Sequence, residues 1–262
     1  MRALDIGATG MQAQQLNVEV IANNIANVST TGYKRQRAEF QDLLYQTVVR
    51  PGAQSSDVGT IVPSGIQLGA GVKAGAIYRI NEQGNIQQTS NQLDLAINGS
   101  GYFEVEMPDG ETAYTRDGSF QLNQNGQIVT ADGYLVKPGI SLPNDTTGIT
   151  INASGDVYAT EQGKTTPSQV GQFELSTFAN PNGLDAQGSN LFLQTAASGS
   201  PITGKAQTNG FGSLIQGSVE TSNVDIVSEI TNLITAQRAY EMNSKVIKTT
   251  DDMLTTVGQM KS

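Results

Sequence analysis

Two pairs of carboxylates lie close enough in the sequence to act together. Glu104 and Glu106 are one residue apart in YFEVEM, and Asp109 and Glu111 flank the glycine of PDGE. Paired carboxylates are the chemistry of glycoside hydrolysis, one as acid and the other as base or nucleophile. On a strand, Glu104 and Glu106 would leave from one face, a pattern that usually marks a solvated edge. Asp109 precedes Gly110 and reads as a turn residue, and Asp94 in NQLDLAI reads similarly. The chain has no histidine and no cysteine. The commonest general base, thiolate nucleophiles, disulfides and Cys-ligated metals are therefore absent. GATG (Gly7 to Gly10) follows no predicted strand, and GAGVKAG (Gly69 to Gly75) lacks the GK[ST] ending of a phosphate loop. The carboxylates are too dispersed for a calcium loop. No enzyme, cofactor or metal site is expected.

Charge narrows the partners further. The net charge is -9, with 15% of residues charged; nucleic-acid binding, which needs clustered Lys and Arg, is not expected. The basic residues of YKRQR, namely Lys34, Arg35 and Arg37, read as a salt-bridged surface and as donors to a neighbouring subunit. No apolar run is long enough to span a membrane, so no membrane insertion is expected. The first twenty residues lack the apolar core of a cleaved leader.

The elements around these residues fall into three textures. Residues 1 to about 28 read as a helix, with Leu4, Met11, Val18 and Ile25 recurring every seven residues and Ile21 widening the stripe. Gly7 and Gly10 weaken its first turns. A longer helix is predicted from Val224 to Met260, with Ile226, Leu233, Tyr240, Ile247 and Leu254 again at sevens. Ser222 or Asn223 could cap it, with Asp225 in its first turn. Between the ends, β-branched residues broken by Gly and Asn predict short antiparallel strands. Turns are predicted at NEQG, Asn98-Gly99, PDG, Asn125-Gly126 and Gly155. Residues 46–72 fit neither texture; they read as an extended segment lying against its own subunit or a neighbour.

The predicted fold is mainly β with α-helical termini. The N- and C-terminal helices pair as a coiled-coil-like element, and the central body is all-β, of short antiparallel strands. Residues 1–32 and 219–262 form the helical core domain, 33–75 an extended connecting segment and 76–218 the central β domain. Neither helix can bury its stripe alone, and exposed apolar stripes signal association. Head-to-tail contacts give a ring or a helical filament. Self-association through Leu4, Met11, Val18, Ile21, Ile25, Ile226, Leu233, Tyr240, Ile247 and Leu254 is therefore expected. A non-polymerising β-domain binding module is the alternative of a different class.

Two long motifs carry a resemblance. ANNIANVSTTGYK near the start and SNVDIVSEITNLITAQRAYEMNSKVIKTTDDML near the end resemble the signatures of the bacterial flagellar rod and hook family of axial proteins. The motif positions are Asn23, Asn24, Asn27, Gly32, Tyr33, Asn223, Gln237, Arg238 and Tyr240. QLDLAINGSGYFEV and AYTRDGSFQLNQNGQIVTADGYLV resemble its middle. RAEFQDLLYQTVVRPGAQSSD followed by PSGIQLGAGV is similar to the distal-rod type rather than the longer hook type; a proximal-rod or hook-type member is the alternative within the family. The resemblance implies a structural subunit of the basal-body rod in the periplasm, reaching the outer membrane. It implies export without a cleaved leader by the flagellar type III apparatus. The subunit would polymerise into a rigid hollow drive shaft for motility. Implied partners are copies of itself, proximal rod proteins, hook protein, the peptidoglycan-layer and outer-membrane ring proteins and a rod cap or assembly factor. It further implies that residues 46–72 stiffen the shaft.

Overall fold

A computed structural model describes residues 2–260 apart from 51–63, 144, 165 and 209. Much of the extended segment expected at 46–72 lies outside the described residues. The architecture is helix, short strands, helix, with the two helices packed on each other. The chain divides into two compact units. The first draws on Met1–Ile25, Gln36–Tyr78 and Asp225–Ser262, the second on Ala26–Arg35 and Arg79–Val224.

In the first unit, helix α1 (Arg2–Ala26) and helix α2 (Ile226–Met260) run antiparallel. Gly7 of α1 lies over Ile247, Gly10 lies over Asn243, and Asn24 bonds Glu229. A Cβ on Gly7 would stand 2.9 Å from Ile247 Cγ1, and one on Gly10 would stand 2.8 Å from Asn243 Nδ2. The glycines that weaken α1 as an isolated helix are thus what lets α2 come close. The cap of α2 is Asp225, not Ser222 or Asn223. Its Oδ1 accepts from Val227 N at 3.2 Å and its Oδ2 from Ser228 Oγ at 2.6 Å. A carboxylate there also matches the positive end of the helix dipole. Strands Gln36–Asp42 and Val72–Arg79 pair with each other. Tyr45–Val49 and Ile66–Gly69 form a separate antiparallel ribbon, Tyr45 opposite Gly69.

The second unit holds the β body. Its largest sheet centres on strands Tyr102–Glu106 and Thr112–Thr115, a hairpin closed by Gly110 N donating to Met107 O at 2.9 Å. The turns predicted at Asn125-Gly126 and Gly155 also close hairpins, with φ of +73° and +90° at the two glycines. Two predicted turns do not. Strand Leu95–Asn98 pairs with Ser213–Gln216, so Asn98-Gly99 redirects the chain to another sheet. Strand Ile86–Gln88 pairs with Ser218–Glu220, so NEQG closes no hairpin. Local turn chemistry is the same in both cases; the long-range partner decides. Phe103, Phe120, Phe173, Leu95, Ile97 and Leu175 are fully buried and form the core, with the Phe103 and Phe120 rings edge to face at 5.0 Å.

A buried ion cluster ties this unit together. Glu220 accepts from Lys34 Nζ at 2.5 Å, Arg116 Nε at 2.6 Å and Gly84 N at 2.9 Å. Arg116 donates its remaining contacts to the carbonyls of Ile97, Gly99 and Gly101, and Lys34 donates to Glu82 O at 2.8 Å. Lys34 is 7% exposed, so it serves a partner in its own chain and not the salt-bridged surface expected of the basic cluster. Burial alone would raise the Glu220 pKa; the charges of Arg116 and Lys34 outweigh it and hold the carboxyl below its ordinary 4.5.

Two substitutions test these contacts. Glu220→Gln leaves two buried cations without a counter-charge and is expected to cost about 3–5 kcal/mol in urea unfolding followed by circular dichroism at pH 7. Because the folded-state pKa is depressed, Glu220's contribution is fully present above pH 4.5 and lost as pH falls through the lower folded value. The gap between unmodified chain and variant should therefore narrow only in acid; a gap under about 0.5 kcal/mol at pH 7, within the range of ordinary surface substitutions, would contradict the cluster's role. Gly7→Val should wedge the helix pair and lower its stability by about 1–3 kcal/mol. Helix propensity alone favours valine over glycine, so a stabilised variant would mean that the close approach is wrong.

Candidate assembly interface

The helix pair has a narrow, mostly small and polar seam. Of the residues of α2, only Glu229 and Ala236 are buried; in α1 the buried residues are Gly7, Ala13, Val20, Ile21 and Asn24. Asn24, 1% exposed, is central to it. Its Oδ1 accepts from Gln36 N and its Nδ2 donates to Gln36 O, both at 2.8 Å, as a neighbouring strand residue would. The second Nδ2 proton goes to Glu229 Oε2 at 3.2 Å. One amide thus fixes both the register of the helices and the return of the chain beside α1. A polar group at such a seam sets register because any slip leaves it buried and unpaired.

The sequence-predicted interface residues divide by exposure. Ile21 is buried; Leu4, Met11, Val18, Ile25, Leu233 and Ile247 are half-buried; Ile226, Tyr240 and Leu254 are exposed. More apolar surface accompanies them. Val227, Ile230, Ile234, Met242, Val246, Met253, Val257 and Met260 on α2 are each at least 44% exposed. Ile230, Ile234 and Val257 flank the seven-residue stripe in the sequence, whereas Val227, Met242, Val246, Met253 and Met260 lie outside that pattern. The ribbon adds Tyr45, Val48, Ile66 and Leu68, all exposed.

The motif residues take several roles. In the second unit, Asn223 Oδ1 accepts from Arg35 N at 2.7 Å, and its Nδ2 donates to the carbonyls of Ile80 and Glu82. Asn27 accepts from Thr30 Oγ1 at 3.1 Å within the turn that follows α1. Gly32 has φ +68°, donates to Glu220 O, and would put a Cβ 2.9 Å from Arg116 backbone. No side chain fits there without moving main chain. Tyr33 is half-buried; Asn23, Gln237, Arg238 and Tyr240 are exposed.

Three of the five acids weighed for catalysis accept hydrogen bonds within the fold, and Glu106 and Glu111 are exposed. Glu104 accepts from Ser176 Oγ. Asp109 Oδ1 accepts from Glu111 N at 3.2 Å inside the hairpin turn. Asp94 accepts from Thr89 Oγ1 and Asn91 Nδ2. Among the described residues no cluster of acids has the arrangement to hold a metal, and no helix is long and apolar enough to cross a membrane.

Comparison with known proteins agrees along the chain. Residues 4–34 match the family described as flagella basal body rod protein, 96–159 the flagellar hook protein FlgE/F/G D1 domain, and 215–260 the flagellar basal body rod FlgEFG protein C-terminal family. The chain is 60% identical over 262 residues to the flagellar basal-body rod protein FlgG of Caulobacter vibrioides, covering all of both chains. It is 52% identical to that of Agrobacterium fabrum, covering 99% of each, and 39% identical to that of Bacillus subtilis, covering 100% of this chain and 99% of the other. A motif at each end, held by a side-chain amide, and likeness over the whole length lead to one conclusion: the chain belongs to the flagellar basal-body rod protein family.

Proposed function

We propose that the chain is a structural subunit of the distal rod of the bacterial flagellum, in the periplasm, and that it works by polymerising. The observation that carries this is the amount of apolar side chain that the helix pair leaves uncovered in a chain of this family. Fully burying one Val, Leu, Ile or Met contributes about 1.5–3 kcal/mol. Several such residues per copy are enough to offset the cost of association. An exposed apolar helix face of this extent marks a surface that other helices cover.

The role follows as mechanics, not catalysis. Copies would stack into a rigid hollow shaft that passes torque to the hook and lets exported subunits through its bore. Paired helices of successive copies would form the wall, and the β bodies would project from it. The Glu220 cluster and the aromatic core suit a body that must not deform under load. The partners that this reading carries are proximal rod proteins, hook protein, the ring proteins of the peptidoglycan layer and outer membrane, a rod cap and the type III export apparatus. Export without a cleaved leader and a shaft that reaches the outer membrane complete it. The assembly positions are the ten predicted from periodicity, with the exposed residues of α2 beside them.

Leu254→Asp tests the reading at a position that is exposed in the single chain. The variant should melt within about 2 °C of the unmodified chain, as surface changes do. It should still reach the periplasm, and cells relying on it should be non-motile, with basal bodies lacking the distal shaft. Motile cells with complete rods would refute the assignment of α2 to the shaft wall.

A further inference from the structure

The buried ion cluster leaves a positive charge and two protons unmatched. Lys34 and Arg116, each 7% exposed, share a single carboxylate, Glu220. Of the three protons on the lysine ammonium, one goes to Glu220 Oε1 and one to Glu82 O. Of the five on the guanidinium, four go to Glu220 Oε2 and the carbonyls of Gly101, Ile97 and Gly99. Every nitrogen therefore has a partner, and each cation keeps one proton over. Carbonyls accept protons without cancelling charge, so two cations face one anion. Burial lowers the Lys34 pKa in spite of the hydrogen bond and charge of Glu220, and the Arg116 charge adds to the fall. A further anion beside this pair would offset that cost.

Both cations line the same cavity, of about 310 Å³, whose residues all belong to the second unit. No aspartate or glutamate is among the described residues that line it. Tyr102, Phe178 and Pro181 give it an apolar wall, and the exposed Ser100 completes the lining beside them. The wall is held in place: the Tyr102 and Phe178 rings meet edge to face at 6.0 Å, and Phe178 meets Tyr114 at 4.7 Å. A volume near 300 Å³ is at the small end for ligand pockets, in which an apolar lining carries a few convergent polar groups. Here those groups are two cations, each with a donor to give.

We propose that this cavity binds a small free carboxylate with an apolar body, its oxygens accepting from Lys34 Nζ and Arg116 Nη1 and its body lying against Tyr102 and Phe178. One negative charge balances the excess; a phosphate dianion would exceed it. A flat carboxylate takes one charge-assisted hydrogen bond from each cation. A halide would meet the charge but leave the aromatic wall wet. The site is independent of the polymerising role, because the helix pair contributes no residue to it.

The probe is para-fluorobenzoate, titrated against the full-length chain and followed by fluorine NMR. Saturable binding with a dissociation constant of about 1–10 mM is expected, as a ligand of this size can reach. Para-fluorobenzamide, which has the same shape and no charge, should bind about tenfold more weakly or worse. The same carboxylate could arrive on a protein side chain, so acetylated, amidated glutamate is titrated in parallel. It lacks the apolar body and should also bind about tenfold more weakly. Lys34→Met leaves Arg116 and Glu220 as a balanced pair and should abolish binding. Ser100→Trp, at an exposed position, leaves the cluster intact and should block the cavity, which covers the case in which Lys34→Met fails to fold. Absence of saturable binding would overturn the proposal. So would equal binding of the benzamide or the blocked glutamate, displacement by an equal concentration of chloride, or benzoate binding that survives Ser100→Trp.

Discussion

The structure depends on one buried side-chain amide. Asn24 spends its acceptor and one donor proton on the backbone of Gln36, and its other proton on Glu229. Slide either helix by a turn and a buried amide and a buried carboxylate lose their partners, at about 1–3 kcal/mol each. Register fixed in this way places Gly7 and Gly10 opposite Ile247 and Asn243, where only glycine admits so close a neighbour. The seam that results is narrow. It takes Ile247 but leaves the other isoleucines, the valines and the methionines of α2 facing outward.

A second amide performs the same task within the β-containing unit. Asn223 binds the backbone of Arg35, Ile80 and Glu82. The family's two signatures, far apart in sequence, therefore each supply an asparagine that treats a distant backbone as a strand partner. Asparagine suits this because it carries donor and acceptor on one short, planar group. Glu220, Lys34 and Arg116 then lock the loops around it through a fully paired buried cluster. Such clusters add specificity more reliably than net stability, since burying the charges offsets much of their attraction.

Much of the fold was legible in the sequence, for identifiable reasons. Seven-residue spacing reported the helices, and Asn-Gly and Gly turns reported the hairpins at Gly110, Gly126 and Gly155. Asn98-Gly99 looked the same but closes no hairpin, because strand pairing there is set by Ser213–Gln216, more than a hundred residues away. The basic cluster after Gly32 looked like surface; Lys34 is buried because Glu220 waits for it at the other end of the sequence. Of the outward residues of α2, Val227, Met242, Val246, Met253 and Met260 were hidden by the choice of period. Spacing at sevens reported Leu233 and Ile247 near the seam together with the exposed Ile226, Tyr240 and Leu254, whereas Met242 and Val246 continue a spacing of four that winds round the helix. Gly7 and Gly10 read as weaknesses until their neighbours across the seam were known.

A shaft subunit must remain a single soluble chain before assembly and be held by several neighbours afterwards. A helix pair whose seam is satisfied by small and polar residues, with its apolar side chains kept outside, meets both demands. The most direct measurement is peroxide footprinting of Met242, Met253 and Met260, which are 63%, 60% and 76% exposed in the single chain. Oxidation to the sulfoxide requires access to the sulfur. Read by mass spectrometry, all three should oxidise readily in the isolated chain and be protected at least tenfold in assembled rods. Equal oxidation in the two states would contradict the claim that α2 is buried by neighbouring copies.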